Sequence, residues 1–146
     1  MTYEAELGKI RVALTGDSIV HREMSMYREP KFLALRDLLR SADVGVTSIE
    51  TLFHDYEHPP AYITGGLHRR TAPKVIDDLR WMGFNLVAAA NNHGFDFGEA
   101  GLLTHMRNLD EHGLAYAGVG ANMSRARQPR YLDTPAGRVA LISVTT

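Results

Sequence analysis

The 146-residue chain contains no cysteine. The absence of thiol groups excludes disulfide bonds, thiolate-bound zinc and cysteine nucleophiles. The chain also lacks an apolar run of the ~18 residues that a membrane helix needs, and its first residues lack the apolar segment of a signal peptide. These absences predict a cytoplasmic protein without a membrane partner.

Neither sign of charge dominates the composition. Sixteen basic residues are matched by 17 acidic ones, and the formal net charge is −1. Domains that bind nucleic acid usually carry a clear basic excess, so no nucleic-acid partner is expected. With 45% hydrophobic residues, the chain has enough apolar side chains for the core of one ordinary domain.

Apolar segments typical of strands alternate with amphipathic segments typical of helices. Strands are predicted at residues 9–15, 44–48, 85–89 and 114–117, followed by a hairpin of strands 129–134 and 138–143. Helices are predicted at 30–41, between an N-cap at Thr71 and a stop at Gly83, and at 98–112. The alternation predicts an α/β fold, in which helices flank a mainly parallel sheet.

Some side chains and segments have an expected place in this pattern. In the third helix the core-facing side chains should be Leu102, Leu103, Met106 and Leu109. His105 and His112 should lie on the surface of that helix. Residues 51–70 should form a long polar loop, and such loops are often functional. Residues 139–146 should form a strand that has only begun to enter the core, which predicts that 1–146 is a single partial domain.

Three polar loops follow predicted strands. They carry Asp17, Glu50 and the run Ala-Asn-Asn-His-Gly-Phe-Asp-Phe-Gly at 90–98. Because parallel strands end at the same edge of their sheet, these loops should converge on one cleft, where open α/β sheets bind ligands. Carboxylate and amide oxygens are hard metal ligands, and histidine exchanges a proton near neutral pH. The sequence therefore predicts a site for a cation and a proton.

Ordinary structural roles for the same residues remain open alternatives. Asp17 could cap a turn and Glu50 could be solvated, while Asn91 and Asn92 could supply left-handed loop conformations. His93 and Asp96 could form a local pair without catalysis. Further loop residues could contact an anionic substrate or be solvated, namely His21, His54, His58, His68, Arg69 and Arg70.

Four segments together resemble the CapA-type family of poly-γ-glutamate capsule biosynthesis proteins. They are Leu-Thr-Gly-Asp-Ser at 14–18, Asp-Val-Gly-Val-Thr-Ser-Ile-Glu at 43–50, residues 86–103 around Asn-Asn-His, and Ala-Gly-Val-Gly-Ala-Asn at 117–122 followed by Ala-Arg-Gln-Pro. The resemblance implies a calcineurin-like metallophosphatase fold, an αββα sandwich. This chain would supply its N-terminal half, so a C-terminal half or a self-association partner is expected.

The resemblance also implies roles for individual residues. Asp17, Glu50 and Asn92 would hold a divalent metal of the Mn, Zn or Fe class, with Asp17 also in a catalytic position. His93 would be the general acid that protonates a leaving group. Asn91 and Asp96 would lie next to these residues and hold them in position, with Asp96 orienting His93.

Three departures from the family pattern bear on the metal. The Asp-x-His motif has isoleucine at position 19, and the Asn-x-Glu motif has Ser48 in place of asparagine. The later Gly-His-x-His motif does not occur in this chain. The cofactor expectation is therefore a divalent metal if the complete site is present, and otherwise none.

Three functions are compatible with these residues. The first is a metal-dependent hydrolase that acts on a phosphoester or on a peptide-type bond such as a γ-glutamyl bond. The second is a metal-independent acid–base enzyme that moves a proton at a peptide α-carbon, as an epimerase does. The third is a non-catalytic module that binds an anionic peptide or polymer.

Overall fold

The computed structural model describes residues 8–62 and 66–145. The strands are β1 (Val12–Ser18), β2 (Val44–Ile49), β3 (Leu52–Phe53), β4 (Arg70–Thr71), β5 (Leu86–Ala88), β6 (Ala115–Ala117), β7 (Arg130–Thr134) and β8 (Gly137–Leu141). The helices are α1 (Pro30–Arg40), α2 (Val75–Met82), α3 (Gly98–Glu111) and α4 (Met123–Ala126).

A four-stranded parallel sheet forms the centre of the fold. Its order is β1-β2-β5-β6, and every neighbouring pair runs in the same direction. α1 lies between β1 and β2 in the chain, α2 between β2 and β5, and α3 between β5 and β6. The predicted α/β architecture with a mainly parallel sheet is confirmed.

The sheet buries side chains on both of its faces. Alternate residues of β2 take opposite sides: Ile49 packs with the core-facing residues of α2 and α3, whereas Val44 and Val46 pack with Leu86 on the other side. The antiparallel hairpin β7–β8 covers this second side through Leu132, Val139 and Leu141. The hairpin is close to the predicted one.

Two helix ends follow the sequence signals closely. Pro30 is the first residue of α1, where its fixed φ suits a helix and its missing N–H costs nothing. Gly83 ends α2 in a left-handed conformation with φ 110°, as its position predicted. Next to it, Gly45 of β2 comes so close that a β-carbon there would lie 2.3 Å from the Gly83 carbonyl oxygen.

Several expectations about helices and loops are wrong. Thr71 does not cap α2: it lies in β4, and its hydroxyl bonds to the Val20 carbonyl and to the Thr51 hydroxyl. The segment 51–70 is not wholly a loop, because β3 and β4 pair in parallel near its two ends. Strand β8 ends at Leu141 and residues 142–145 do not continue it, while Thr146 lies outside the described residues.

The inward face of α3 also differs from the expected one. His105 is fully buried, whereas Leu103 is exposed. The reason is a tertiary hydrogen bond, since the backbone N–H of Phe53 in β3 donates to His105 Nδ1 at 3.0 Å. The buried imidazole thus takes the position that hydrophobicity alone would assign to leucine.

Candidate active site

The ends of β1, β2 and β5 meet at one edge of the central sheet. Asp17 pairs in register with Ser48, near the ends of β1 and β2. The backbone N–H of Glu50 donates to the Ser18 carbonyl at 3.3 Å, and the Asn91 side-chain amide donates to the Ile49 carbonyl at 2.6 Å. The three loops lie at one edge of the sheet, as predicted, with Asp17 inside the end of β1 instead of after the strand. That they form one ligand-binding cleft stays a prediction.

His93 and Asp96 form a close pair in the loop after β5. His93 Nδ1 lies 2.7 Å from Asp96 Oδ2, and the Asp96 side chain is only 4% exposed. The Asn91 side-chain oxygen accepts the His93 backbone N–H at 2.9 Å and holds the turn in place. The Asp96 carboxylate accepts a hydrogen bond from His93 Nδ1–H, which leaves the His93 Nε2 nitrogen as the one that can exchange a proton with a ligand.

Arg69 joins this pair to Glu50. Its backbone N–H donates to Asp96 Oδ2 at 2.6 Å, the same oxygen that His93 approaches. Its guanidinium forms an ion pair with the Glu50 carboxylate, and both side chains are largely buried. The segment before β4 therefore connects two of the three loops, and Glu50 already has a cationic partner.

The other loop residues lie apart from this contact network. His54 is completely buried, and its ring packs edge-on against Phe97 with centroids 4.3 Å apart. His58 Nε2 lies 2.8 Å from the Thr104 hydroxyl, and His68 Nε2 lies 2.8 Å from the Ala61 carbonyl. Arg70 packs over the Tyr56 ring and bonds to the His54 carbonyl, and His21 is exposed. His54, His58 and His68 anchor the segment around β3 and β4.

Burial makes the imidazoles of His54 and His105 poor bases. It lowers the pKa of His105 to about 3. It also lowers the pKa of His54, although the nearby Glu57 carboxylate acts in the opposite direction. Both rings are therefore neutral at physiological pH and serve packing and hydrogen bonding.

The oxygen donors at the sheet edge suit a hard cation in kind but are too few to hold it alone. Asp17 and Asn92 are exposed, while Glu50 is paired with Arg69. Over residues 8–62 and 66–145, no cluster of three or more His, Asp or Glu side chains has the arrangement of a metal site. A metal bound by Asp17, Glu50 and Asn92 would need further ligands from outside the described residues.

Comparison with protein families shows which family the chain belongs to. Residues 11–146 match the family model described as bacterial capsule synthesis protein PGA_cap. The chain belongs to this family. The CapA-type resemblance is thereby confirmed, and the family has the metallophosphatase-like fold.

Two relatives come from Sinorhizobium fredii (strain NBRC 101917 / NGR234), where they are named uncharacterized protein y4sH and uncharacterized protein y4uA. Each is 40% identical to this chain over 134 residues. The match covers 90% of this chain but only 29% of each relative's length. The chain therefore spans less than a third of the length of these relatives.

In the described part of the chain, no helix combines the length and the apolar character of a membrane span. The cytoplasmic location, and the absence of membrane and nucleic-acid partners, stay predictions. So do the metal and catalytic roles of Asp17, Glu50, Asn92 and His93. The sequence named Arg69 only as a loop residue that could contact an anionic substrate, and it could not predict the contact with Asp96, which joins residues 27 positions apart.

Proposed function

We propose that this chain carries the proton-transfer part of a hydrolase active site, which acts on a phosphoester or on a peptide-type bond such as a γ-glutamyl bond. The observation that supports it is the contact between His93 Nδ1 and the buried Asp96 carboxylate at the ligand-binding edge of a parallel sheet. An imidazole held by a carboxylate in this way is the usual arrangement of a general acid or base.

In this proposal each residue has a defined task. His93 donates the Nε2 proton to the oxygen or nitrogen that leaves, and Asp96 stabilises the protonated imidazole and keeps the ring oriented. Asn91 holds the backbone of His93 in place. Arg69 keeps Asp96 in position through its backbone N–H, and its guanidinium balances the Glu50 charge.

The divalent metal is a separate part of the proposal. When bound, it would polarise the scissile group and provide hydroxide. Asp17, Glu50 and Asn92 are the residues of this chain that would hold it, together with ligands from the remaining polypeptide. For Glu50 to take part, the ion pair with Arg69 must open.

The test uses the complete polypeptide with bis(p-nitrophenyl) phosphate and γ-glutamyl p-nitroanilide, each with and without Mn²⁺ or Zn²⁺. We expect His93→Ala to lower kcat about 10²–10⁴-fold, the usual contribution of general acid–base catalysis. His112→Ala is the matched control, since His112 pairs with Asp77 at the far end of α3. Equal rates in both variants would contradict the proposal.

The Glu50–Arg69 ion pair favours a second candidate, the metal-independent acid–base enzyme. In this function Asp17 and a histidine would exchange a proton with the α-carbon of a peptide. Deuterium from solvent should then enter the product at an unchanged rate in the presence of a chelator. Full activity of Asp17→Asn would contradict this function, whereas loss of activity on metal removal would favour the hydrolase.

A further inference from the structure

An apolar cavity of about 340 Å³ opens beside the His93 loop. Its walls are mainly apolar side chains from three neighbouring parts of the chain, namely Phe95, Leu102, Leu103, Val119, Met123 and Ala126. Its volume is in the range of small-molecule sites, which begin at about 300 Å³. No role has been assigned to this cavity so far.

Phe95 links the cavity to the loop that carries the proton-transfer pair, whereas His93 and Asp96 themselves are not among the lining residues. Phe95 lies between His93 and Asp96 in the chain, and the Asp96 N–H donates to the His93 carbonyl across it at 3.1 Å. The opposite wall follows β6, the sheet neighbour of β5, and the Ala89 N–H donates to the Ala117 carbonyl at 2.9 Å. If a ligand placed one group in the cavity, the neighbouring atoms of that ligand would therefore lie close to the His93 loop.

The lining is unusual because several large apolar side chains remain open to solvent around it. Phe95 is 63% exposed and Met123 is 76% exposed, and Leu103 on α3 is also exposed. Scattered exposed apolar residues are normal on proteins, but a group around one cavity marks a binding site. Burial of these surfaces against an apolar ligand group is favourable.

The polar groups of the cavity narrow the class of ligand. Among the described residues, Glu99 is the single charged residue in the lining, and the Asn122 side-chain oxygen already accepts the Arg125 backbone N–H at 3.0 Å. Arg125 and Arg130 line a different cavity on the other side of residues 118–121. Within residues 8–62 and 66–145, the lining of the apolar cavity therefore offers no cation to an anionic group, and the Glu99 carboxylate repels one.

We propose that this cavity is the subsite for an aliphatic or aromatic side chain of a peptide-type substrate. The backbone bond next to that side chain would then face His93. This inference rests on the proposed function and deepens it. It requires a substrate with at least one apolar residue at this point, which a polymer of acidic residues alone does not provide.

The test measures binding without turnover. The complete polypeptide is labelled with ¹³C in its methionine methyl groups, and Met123→Ala identifies the Met123 signal. N-acetyl-L-phenylalaninamide should shift this signal in a saturable way and leave the signal of Met26, an exposed methionine outside the cavity lining, unchanged. N-acetyl-L-glutamate α-amide should bind about tenfold more weakly or less, because its carboxylate gains no apolar burial.

Two variants alter the cavity in different ways. Ala126→Phe fills it, and Leu103→Asp adds a carboxylate at an exposed position where folding is not at risk. Each should weaken binding of the phenylalanine probe at least about tenfold. Leu67→Asp is the matched control, since Leu67 is exposed and outside the lining.

Equal binding of both probes would overturn the subsite, as would binding unaffected by the cavity variants. Binding of neither probe to the complete polypeptide would also overturn it, because the cavity would then not be open to a substrate side chain. If His93→Ala abolishes turnover while no probe shifts Met123, the subsite fails and the proposed function stands. If the probes bind as expected and His93→Ala retains full turnover, the proposed function fails instead.

Discussion

A single carboxylate oxygen of Asp96 contacts both His93 and the segment before β4. It lies 2.7 Å from His93 Nδ1 and 2.6 Å from the backbone N of Arg69. The spacing of His93 and Asp96 predicted their contact, because two residues three positions apart in one loop are close in any compact conformation. The contact with Arg69 could not be predicted in this way, since it depends on how the segment before β4 packs against the loop after β5.

Removal of the Asp96 carboxylate should affect both catalysis and folding. We expect Asp96→Ala to reduce kcat about 10-fold to 100-fold through loss of His93 orientation. We also expect it to lower the free energy of unfolding by about 1–3 kcal/mol, because a partly buried N–H of Arg69 loses its acceptor. Urea unfolding and the p-nitrophenyl assays measure the two effects.

Asp37→Ala is the control for this prediction. Asp37 forms an exposed ion pair with Arg36, and such pairs contribute little to stability. An unfolding free energy of Asp96→Ala that equals that of Asp37→Ala would show that the buried contact has no structural weight.

His105 should make the stability of the protein depend on pH. Burial lowers its pKa from 6.5 to about 3, so the unfolded chain binds a proton below pH 6.5 that the folded protein excludes until about pH 3. Stability therefore falls as pH falls through this window, by about 2 kcal/mol between pH 7 and pH 5 for this group alone. Urea unfolding at both pH values should show a smaller decrease in His105→Gln than in the wild type.

His112→Gln serves as the comparison, because the His112 side chain is partly exposed and paired with Asp77. It should keep the wild-type difference in stability between pH 7 and pH 5 much more closely than His105→Gln does. The same loss between the two pH values in His105→Gln and the wild type would contradict the assignment of this effect to His105.

At the scale of elements, the strands were easier to predict than the faces of the helices. β2 is buried along nearly its whole length, as is typical of a parallel strand covered on both faces. In α3 the buried residues Leu102, His105 and Leu109 follow helical spacing. The sequence favoured Leu103 over His105 for the core because hydrophobicity does not reveal the hydrogen bond from Phe53.

The contact between β2 and the end of α2 should be highly sensitive to side-chain size. A β-carbon at position 45 would lie 2.3 Å from the backbone oxygen of Gly83, so Gly45→Ala requires the strand or the helix end to move. We expect a loss of about 1–3 kcal/mol in the free energy of unfolding. Thermal and urea unfolding measure it.

Gly16→Ala is the matched control in the neighbouring strand. A β-carbon there would meet nothing within 4 Å, so the substitution should leave stability unchanged or raise it by less than about 1 kcal/mol. If Gly45→Ala were equally harmless, the close approach of β2 to α2 would be relaxed without cost.

At the scale of the whole molecule, large apolar side chains remain exposed both on the edge strand of the sheet and on α1. β1 is an edge strand of the central sheet, with Leu14 75% exposed, and Leu38 of α1 is 68% exposed. Exposed sheet edges and apolar patches promote association. Because the matched region is 29% of the length of the relatives, we expect further polypeptide to cover these side chains in the complete protein.

The isolated 146 residues should therefore self-associate at micromolar concentrations. Sedimentation velocity should show a shift toward monomer in the double variant Leu14→Lys/Leu38→Lys. Tyr62→Lys, at an exposed position on a loop, should leave the association unchanged. A wild-type chain that is monomeric and melts cooperatively would contradict this prediction.

The sequence by itself determined the α/β class, the order of the main elements and the sheet edge at which Asp17, Glu50 and His93 lie. These features depend on local periodicity and on the rule that parallel strands end together. Only the tertiary structure decided that Arg69 pairs with Glu50, that His105 belongs to the core and that an apolar cavity adjoins the His93 loop. Such contacts join residues far apart in the chain. Local sequence patterns do not distinguish between the many long-range contacts that are possible, and packing of the whole fold selects among them.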